Sequence, residues 1–175
     1  MARPTNTIDF SSASYEVPFF SLHGYCTYAR VVDLHDGDTI TVVIPYQSKW
    51  TKFNVRLYGI DTCEINSTNE TCKKLALQAR DTLFEYITKE KPPSDMSSKA
   101  VRYYFSKNVN IVWIECLNFD KYQRLLAKVW ANDTLLSDVL VRMNLAYPYY
   151  GNKRMSESQQ LDYFLCNQEQ NKLQK

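Results

Sequence analysis

Four places in the sequence carry charges that a folding core does not require. They are Asp36 and Asp38 in "DGDT" at 36–39, Arg56 within "VRLYGIDTCE" at 55–64, Asp61 and Glu64 in that same stretch, and Arg124 at the end of "DKYQR" at 120–124. Two carboxylates and a backbone carbonyl meeting at one rim would form an oxygen-only site, suited to calcium or another hard cation. Two arginines beside such an acid cluster fit an anion gripped from the side opposite the metal, and a phosphate takes paired guanidinium bonds. Taken singly, each residue has a plainer reading: a hairpin turn for Asp36 and Asp38, a cross-strand ion pair for Arg56, a solvated loop acid for Glu64, a salt bridge to Asp120 for Arg124.

These groups need strands and turns to bring them together. "YCTYARVVDL" and "DTITVVIPY" are β-branched runs on either side of the Asp-Gly-Asp turn and read as a hairpin. "TKFNVRLYGI" reads as a third strand, in which Phe53, Val55 and Leu57 share an apolar face and Arg56 lies on the other. "DTCEINSTNET" is a polar loop. In "CKKLALQARDTLFEYITKE", Cys72, Leu75, Ala76, Ala79, Leu83 and Ile87 recur at helical spacing, with Asn69 or Thr71 as the cap. "KPPSDMSSKAVRYYFSKN" reads as a long polar connection that its proline pair keeps from being helical throughout. "VNIVWIECL" and "LLAKVWAN" are the fourth and fifth strands. "TLLSDVLVRMN" is a short helix, "AYPYYGN" an aromatic loop, and a last helix follows with Ser156 as its N-cap. Residues 1–24 lack periodicity and form an extension, flexible or draped over the domain; residues 25–175 form one domain. The fold class expected is α+β, mainly β: a five-stranded OB-type barrel with about three α-helices.

Composition narrows the class without deciding it. The 175 residues suffice for one domain with a real core, and the net charge of +2 argues nothing alone. Thirteen tyrosines suit a surface that stacks bases, and a tyrosine-rich core explains them almost as well. Lys49, Lys52 and Arg56 cluster with no acid among them, a pattern that can attract an anionic polymer or form a solvated face. Five cysteines at irregular spacing give no zinc motif, and Cys26 and Cys116 fall in apolar runs expected to bury their thiols. No signal peptide or membrane-length apolar run is seen, so an intracellular protein (cytoplasm or nucleus), without membrane contact and monomeric, is expected.

The three motifs in this order closely resemble the staphylococcal-nuclease-like (thermonuclease) family, from about Tyr25 to about Gly151, with the last helix matching in position. The resemblance implies a calcium-dependent phosphodiesterase acting on DNA and RNA, with single strands preferred, that breaks the bond to the 5′ oxygen and leaves 3′-phosphate ends. It implies one calcium ion, or another divalent cation, held by Asp38 and Asp61, with the Thr62 carbonyl as a ligand and Asp36 acting mainly through water. Arg56 and Arg124 would contact the scissile phosphate, and Glu64 would be the general base or the group that orients the attacking water. Lys121 and Tyr122 would touch the terminal phosphate or sugar, and a base would pack on Tyr150. Two alternatives are a catalytically silent nucleic-acid or protein binding module of the same family, and an OB-type structural module. Three features depart from the family pattern: Cys63 where a proline is usual, Gln123 where a glycine is usual, and a longer connection from Lys89 to Asn108. Gln123 must therefore avoid a positive φ or bear strain.

Overall fold

The computed structural model describes residues 8–93 and 97–173. Strands β1 (Cys26–Asp36), β2 (Thr39–Tyr46) and β3 (Lys49–Leu57) form an antiparallel meander. Strands β5 (Asn110–Phe119) and β6 (Leu125–Ala131) form a second hairpin. Strand β5 pairs with β1, and β3 pairs in parallel with β6, so these five strands close into a barrel. Two short ribbons complete the β structure. Strand β7 (Thr134–Leu135) extends the barrel sheet beside β6. Strand β4 (Ile60–Asp61) pairs with β8 (Tyr147–Pro148) in a separate two-stranded piece.

The alternation expected in β3 holds where it matters. Val55 and Leu57 are buried with Val31, Ile40, Val42, Ile44, Ile114 and Val129, each at 1% exposure or less. A full burial of this kind contributes about 1.5–3 kcal/mol per side chain. Helix α1 (Glu70–Thr88) is capped by Asn69, whose side chain accepts from the Thr71 and Cys72 amides. It lays Ala79, Leu83, Phe84 and Ile87 against the barrel, while Ala76 packs with Cys63, Cys72, Tyr147 and Phe164 in a second cluster. Helix α3 (Leu136–Arg142) and helix α4 (Glu157–Leu173) stand where the sequence placed them. Ser156 and Gln159 close a capping box at the start of α4: the Gln159 amide donates to the Ser156 hydroxyl and the Ser156 amide to the Gln159 side chain.

Two expectations need correction. The connection read as polar contains a further helix, α2 (Ser98–Lys107), so the described residues hold four helices rather than three. Ser97 caps α2, and Val101 and Phe105, one turn apart, bury one face of it. Phe84 stacks against Tyr104 and Phe105, while Tyr103 stays exposed. Cys116 is buried as expected, but Cys26, at the open end of β1, is exposed. The segment 8–24 is mostly exposed, although Phe20 packs on Tyr46 and Phe119 at one end of the barrel. No described helix is long and apolar enough to cross a membrane.

Candidate active site

The first hairpin delivers its carboxylates to the end of β3. Gly37 is demanded by packing: a Cβ there would lie 2.5 Å from the Cβ of Ala79 on α1. The turn is thereby pressed onto the helix, and the Leu57 amide donates to the Asp38 carbonyl at 2.8 Å. Asp38 is buried at 6% exposure, and Thr39 donates to its Oδ1 at 2.7 Å. Beyond β3, Gly59 takes a φ of +85° and turns the chain into β4, which carries Asp61. Asp61 is 3% exposed.

Arg56 stands between the two acids. Its Nη2 is 3.0 Å from Asp38 Oδ2 and 2.6 Å from Asp61 Oδ1. Its guanidinium also lies over the Tyr149 ring, 5.4 Å from the centroid. Arg124 arrives from the β5–β6 turn. Asp120 accepts from its Nε at 2.8 Å, and its Nη1 reaches the Thr39 hydroxyl at 3.3 Å. The plain partner expected for Arg124 is therefore present, and it aims the arginine into the same space as Asp38. Gln123 has a φ of 63°, so the turn is made in the conformation that favours glycine, and the strain is borne.

One cleft of about 690 Å³ gathers these groups. Asp36, Asp38, Arg56, Asp61, Glu64, Lys121, Tyr122, Arg124 and Tyr150 all line it. Thr62, buried beside Asp61, offers its backbone carbonyl at the edge of the same cluster. Tyr122 is exposed on the rim, with Lys121 and Arg124 against its ring. Tyr150, 67% exposed, meets Tyr58 edge to face and lies close against Gly59.

Two residues bond Asp61 in ways the sequence did not indicate: Tyr147, expected only as an aromatic beside Tyr150 at the base pocket, and Arg154. Tyr147, buried on β8 opposite Asp61, donates its hydroxyl to Asp61 Oδ2 at 2.5 Å. Arg154 reaches back from the loop before α4. Its Nε is 2.6 Å from Asp61 Oδ2, its Nη1 is 2.5 Å from Glu64 Oε1, and its Nη2 donates to the Thr62 carbonyl at 3.2 Å. A lone arginine in "GNKRM" has no periodicity or motif to announce this. The Tyr147 contact follows from the β4–β8 pairing, which two-residue strands do not signal.

The titration directions follow from burial and neighbours. Burial pushes the Asp38 carboxyl up despite Arg56 beside it. Burial, then the charge of Glu64, raises Asp36. Burial also acts to raise Asp120, but hydrogen bonds from the Arg124 amide and side chain outweigh it and hold the carboxyl low. Burial and the bond to Asp61 raise Tyr147. Burial lowers Arg154, and Asp61 and Glu64 together overcome it, so the guanidinium is held in its charged form. Cys63, buried against Cys72, is pushed up to about 12.

The oxygens of Asp38, Asp61 and the Thr62 carbonyl are an all-oxygen donor set with two negative charges, and such a set fits a hard divalent cation. Among the described residues, no group of three or more His, Cys, Asp or Glu side chains could hold a metal by itself, so any cation here would need a carbonyl and water as further ligands. Arg56 and Arg154 currently neutralise these oxygens.

Residues 54–175 match the protein-family model described as staphylococcal nuclease homologue, which spans well over half of the chain. The chain belongs to the staphylococcal nuclease homologue family. The family match begins inside β3 and takes in Arg56, Asp61, Thr62, Glu64, Lys121, Tyr122, Arg124 and Tyr150. Asp36 and Asp38 precede it, and the barrel closure sets them beside the matched residues. No curated protein matches the chain.

Proposed function

We propose that this member of the staphylococcal nuclease homologue family is a calcium-dependent nuclease. It would hydrolyse single-stranded DNA or RNA at the bond to the 5′ oxygen and leave 3′-phosphate ends. The observation carrying this reading is the convergence of Asp38, Asp61, Arg56, Arg124 and Glu64 on one cleft from four separate chain segments.

Asp38, Asp61 and the Thr62 carbonyl would hold the cation, with Asp36 reaching it through water. When bound, a divalent cation offsets charge on a phosphate oxygen and makes a bound water more acidic. Arg56 and Arg124 would donate to the equatorial phosphate oxygens, where charge builds during attack. Glu64 would accept the proton of the attacking water. The water oxygen then bonds to phosphorus, the bond to the 5′ oxygen breaks, and that oxygen takes up a proton. Lys121 and Tyr122 would steady the neighbouring phosphate or sugar from the rim. Tyr150, exposed and already edge to face with Tyr58, offers a face for a base.

The test is cleavage of end-labelled single-stranded DNA and RNA with calcium and with EDTA, beside Glu64→Gln and Arg124→Ala. Calcium-dependent cutting that both variants lose is the expected result. Cutting of equal rate in wild type and variants overturns the assignment. One observation favours the binding-module reading: Arg154 ties up the Glu64 carboxylate at 2.5 Å. Retained oligonucleotide binding without cutting in any metal would establish it.

A further inference from the structure

Strand β3 carries more than Arg56. Its pairing with β2 runs without a register shift from Thr39 opposite Arg56 to Tyr46 opposite Lys49. Side chains on a strand alternate faces, so Asn54, Lys52 and Trp50 follow Arg56 along the same outer face. All three are exposed, and Trp50 has 79% of its surface open to solvent. Their neighbours across the ladder are Thr41, Val43 and Pro45. From residue 39 to residue 60 the chain has no acid and three cations: Lys49, Lys52 and Arg56.

A surface that begins at a phosphate-binding arginine, runs uncharged or positive, and ends on an open indole matches a polyanion with flat bases. We propose that a single nucleic-acid strand leaves the cleft along the outer face of β2 and β3, with Lys52 on a phosphate and a base stacked on Trp50. The inference rests on the nuclease reading of the cleft and extends it to a length preference. Six residues of strand span about 20 Å. At about 3.4 Å per nucleotide of stacked strand, this adds about six nucleotides beyond the cleft. The outer face of these strands is also where OB-type barrels commonly bind oligonucleotides. The two-residue turn that presents Trp50 has both Gln47 and Ser48 at positive φ, a geometry that twists the hairpin as paired strands require.

The test is fluorescence anisotropy of labelled single strands of four and twelve nucleotides, in EDTA so that nothing is cut. Wild type is compared with Trp50→Ala, Lys52→Ala and Trp113→Ala, the last altering an aromatic on β5. Trp50→Ala should weaken the twelve-mer about five- to 150-fold, the range for one lost base stack, and leave the four-mer unchanged. Lys52→Ala should also weaken the twelve-mer and flatten its salt dependence by about 0.7 in log–log slope. Twelve-mer affinity unchanged in both variants overturns the track and leaves the cleft reading intact, as does a loss caused by Trp113→Ala instead. Polyglutamate bound as tightly as the twelve-mer overturns it too, because a generic polyanion surface needs no stacked base. Wild type that binds neither strand overturns the nucleic-acid reading of the cleft, and the track with it.

Discussion

Replacing Arg154 with Gln should tighten calcium binding. The arginine now occupies three oxygens that the ion or the attacking water would use: Asp61 Oδ2, the Thr62 carbonyl and Glu64 Oε1. A cation entering this site must turn the guanidinium out. The Arg154 side chain is 43% exposed, so its ion pairs are partly screened, whereas its Asp61 partner is buried at 4%. Between a screened surface pair and a charge-assisted bond to a buried acid, displacement costs about 1–2 kcal/mol. Removing that cost tightens calcium about five- to thirtyfold, since 1.4 kcal/mol is about a factor of ten. Asp61 is not orphaned by the change, because Arg56 and Tyr147 still bond it. Calorimetric titration with calcium reads the difference. Arg154→Lys, which keeps the charge but lacks the planar fork, should fall between the two. Equal or weaker affinity in Arg154→Gln refutes the reasoning and makes Arg154 a support of the ion site instead of its rival.

Three further outcomes follow from the same geometry. Gln123→Gly should stabilise the protein by about 0.5–1 kcal/mol in urea unfolding, since relief at φ 63° exceeds the added freedom of the unfolded chain. The folded-state pKa of Asp120 lies below its ordinary value of 3.8, so the stability it contributes is present above that value and is lost as pH falls through the depressed one. Asp120→Asn should therefore cost about 1–2 kcal/mol at pH 7 in denaturant titrations, and the difference should shrink in acid. Iodoacetamide on the native protein at pH 8 should label Cys26 and Cys166, both exposed. It should spare buried Cys63, Cys72 and Cys116, with Cys63 held protonated by a pKa of about 12, and intact mass reads the count.

The barrel was legible because its strands are long and β-branched, and because Val55 and Leu57 alternate with Arg56 clearly enough to set the faces. The candidate site was legible where motifs carry it, at 36–39, 55–64 and 120–124. What escaped the sequence has a physical reason in each case. Helix α2 hides behind Pro92 and Pro93 and a polar composition, and only Val101 and Phe105 at helical spacing with Ser97 before them mark it. Arg154 acts through side-chain reach: it lies 93 residues from Asp61, on a loop with no repeating pattern. Tyr147 reads as part of an aromatic loop until β8 pairs with β4 and turns its hydroxyl onto Asp61. Cys26 shows the opposite failure: it is paired in the sheet, but alternation puts it on the outward face with exposed Tyr28, while Ala29 and Val31 face the core.

The proposed nuclease reading has Glu64 and the two arginines cutting a phosphodiester in this cleft. The direct measurement is end-group analysis of a labelled single strand after a single turnover with calcium, for wild type and Glu64→Gln purified side by side. Wild type should yield fragments ending in 3′-phosphate, and the variant should cut at a rate at least about a hundredfold lower, the scale of a lost general base. Fragments ending in 3′-hydroxyl, or the same rate from both proteins, would contradict it.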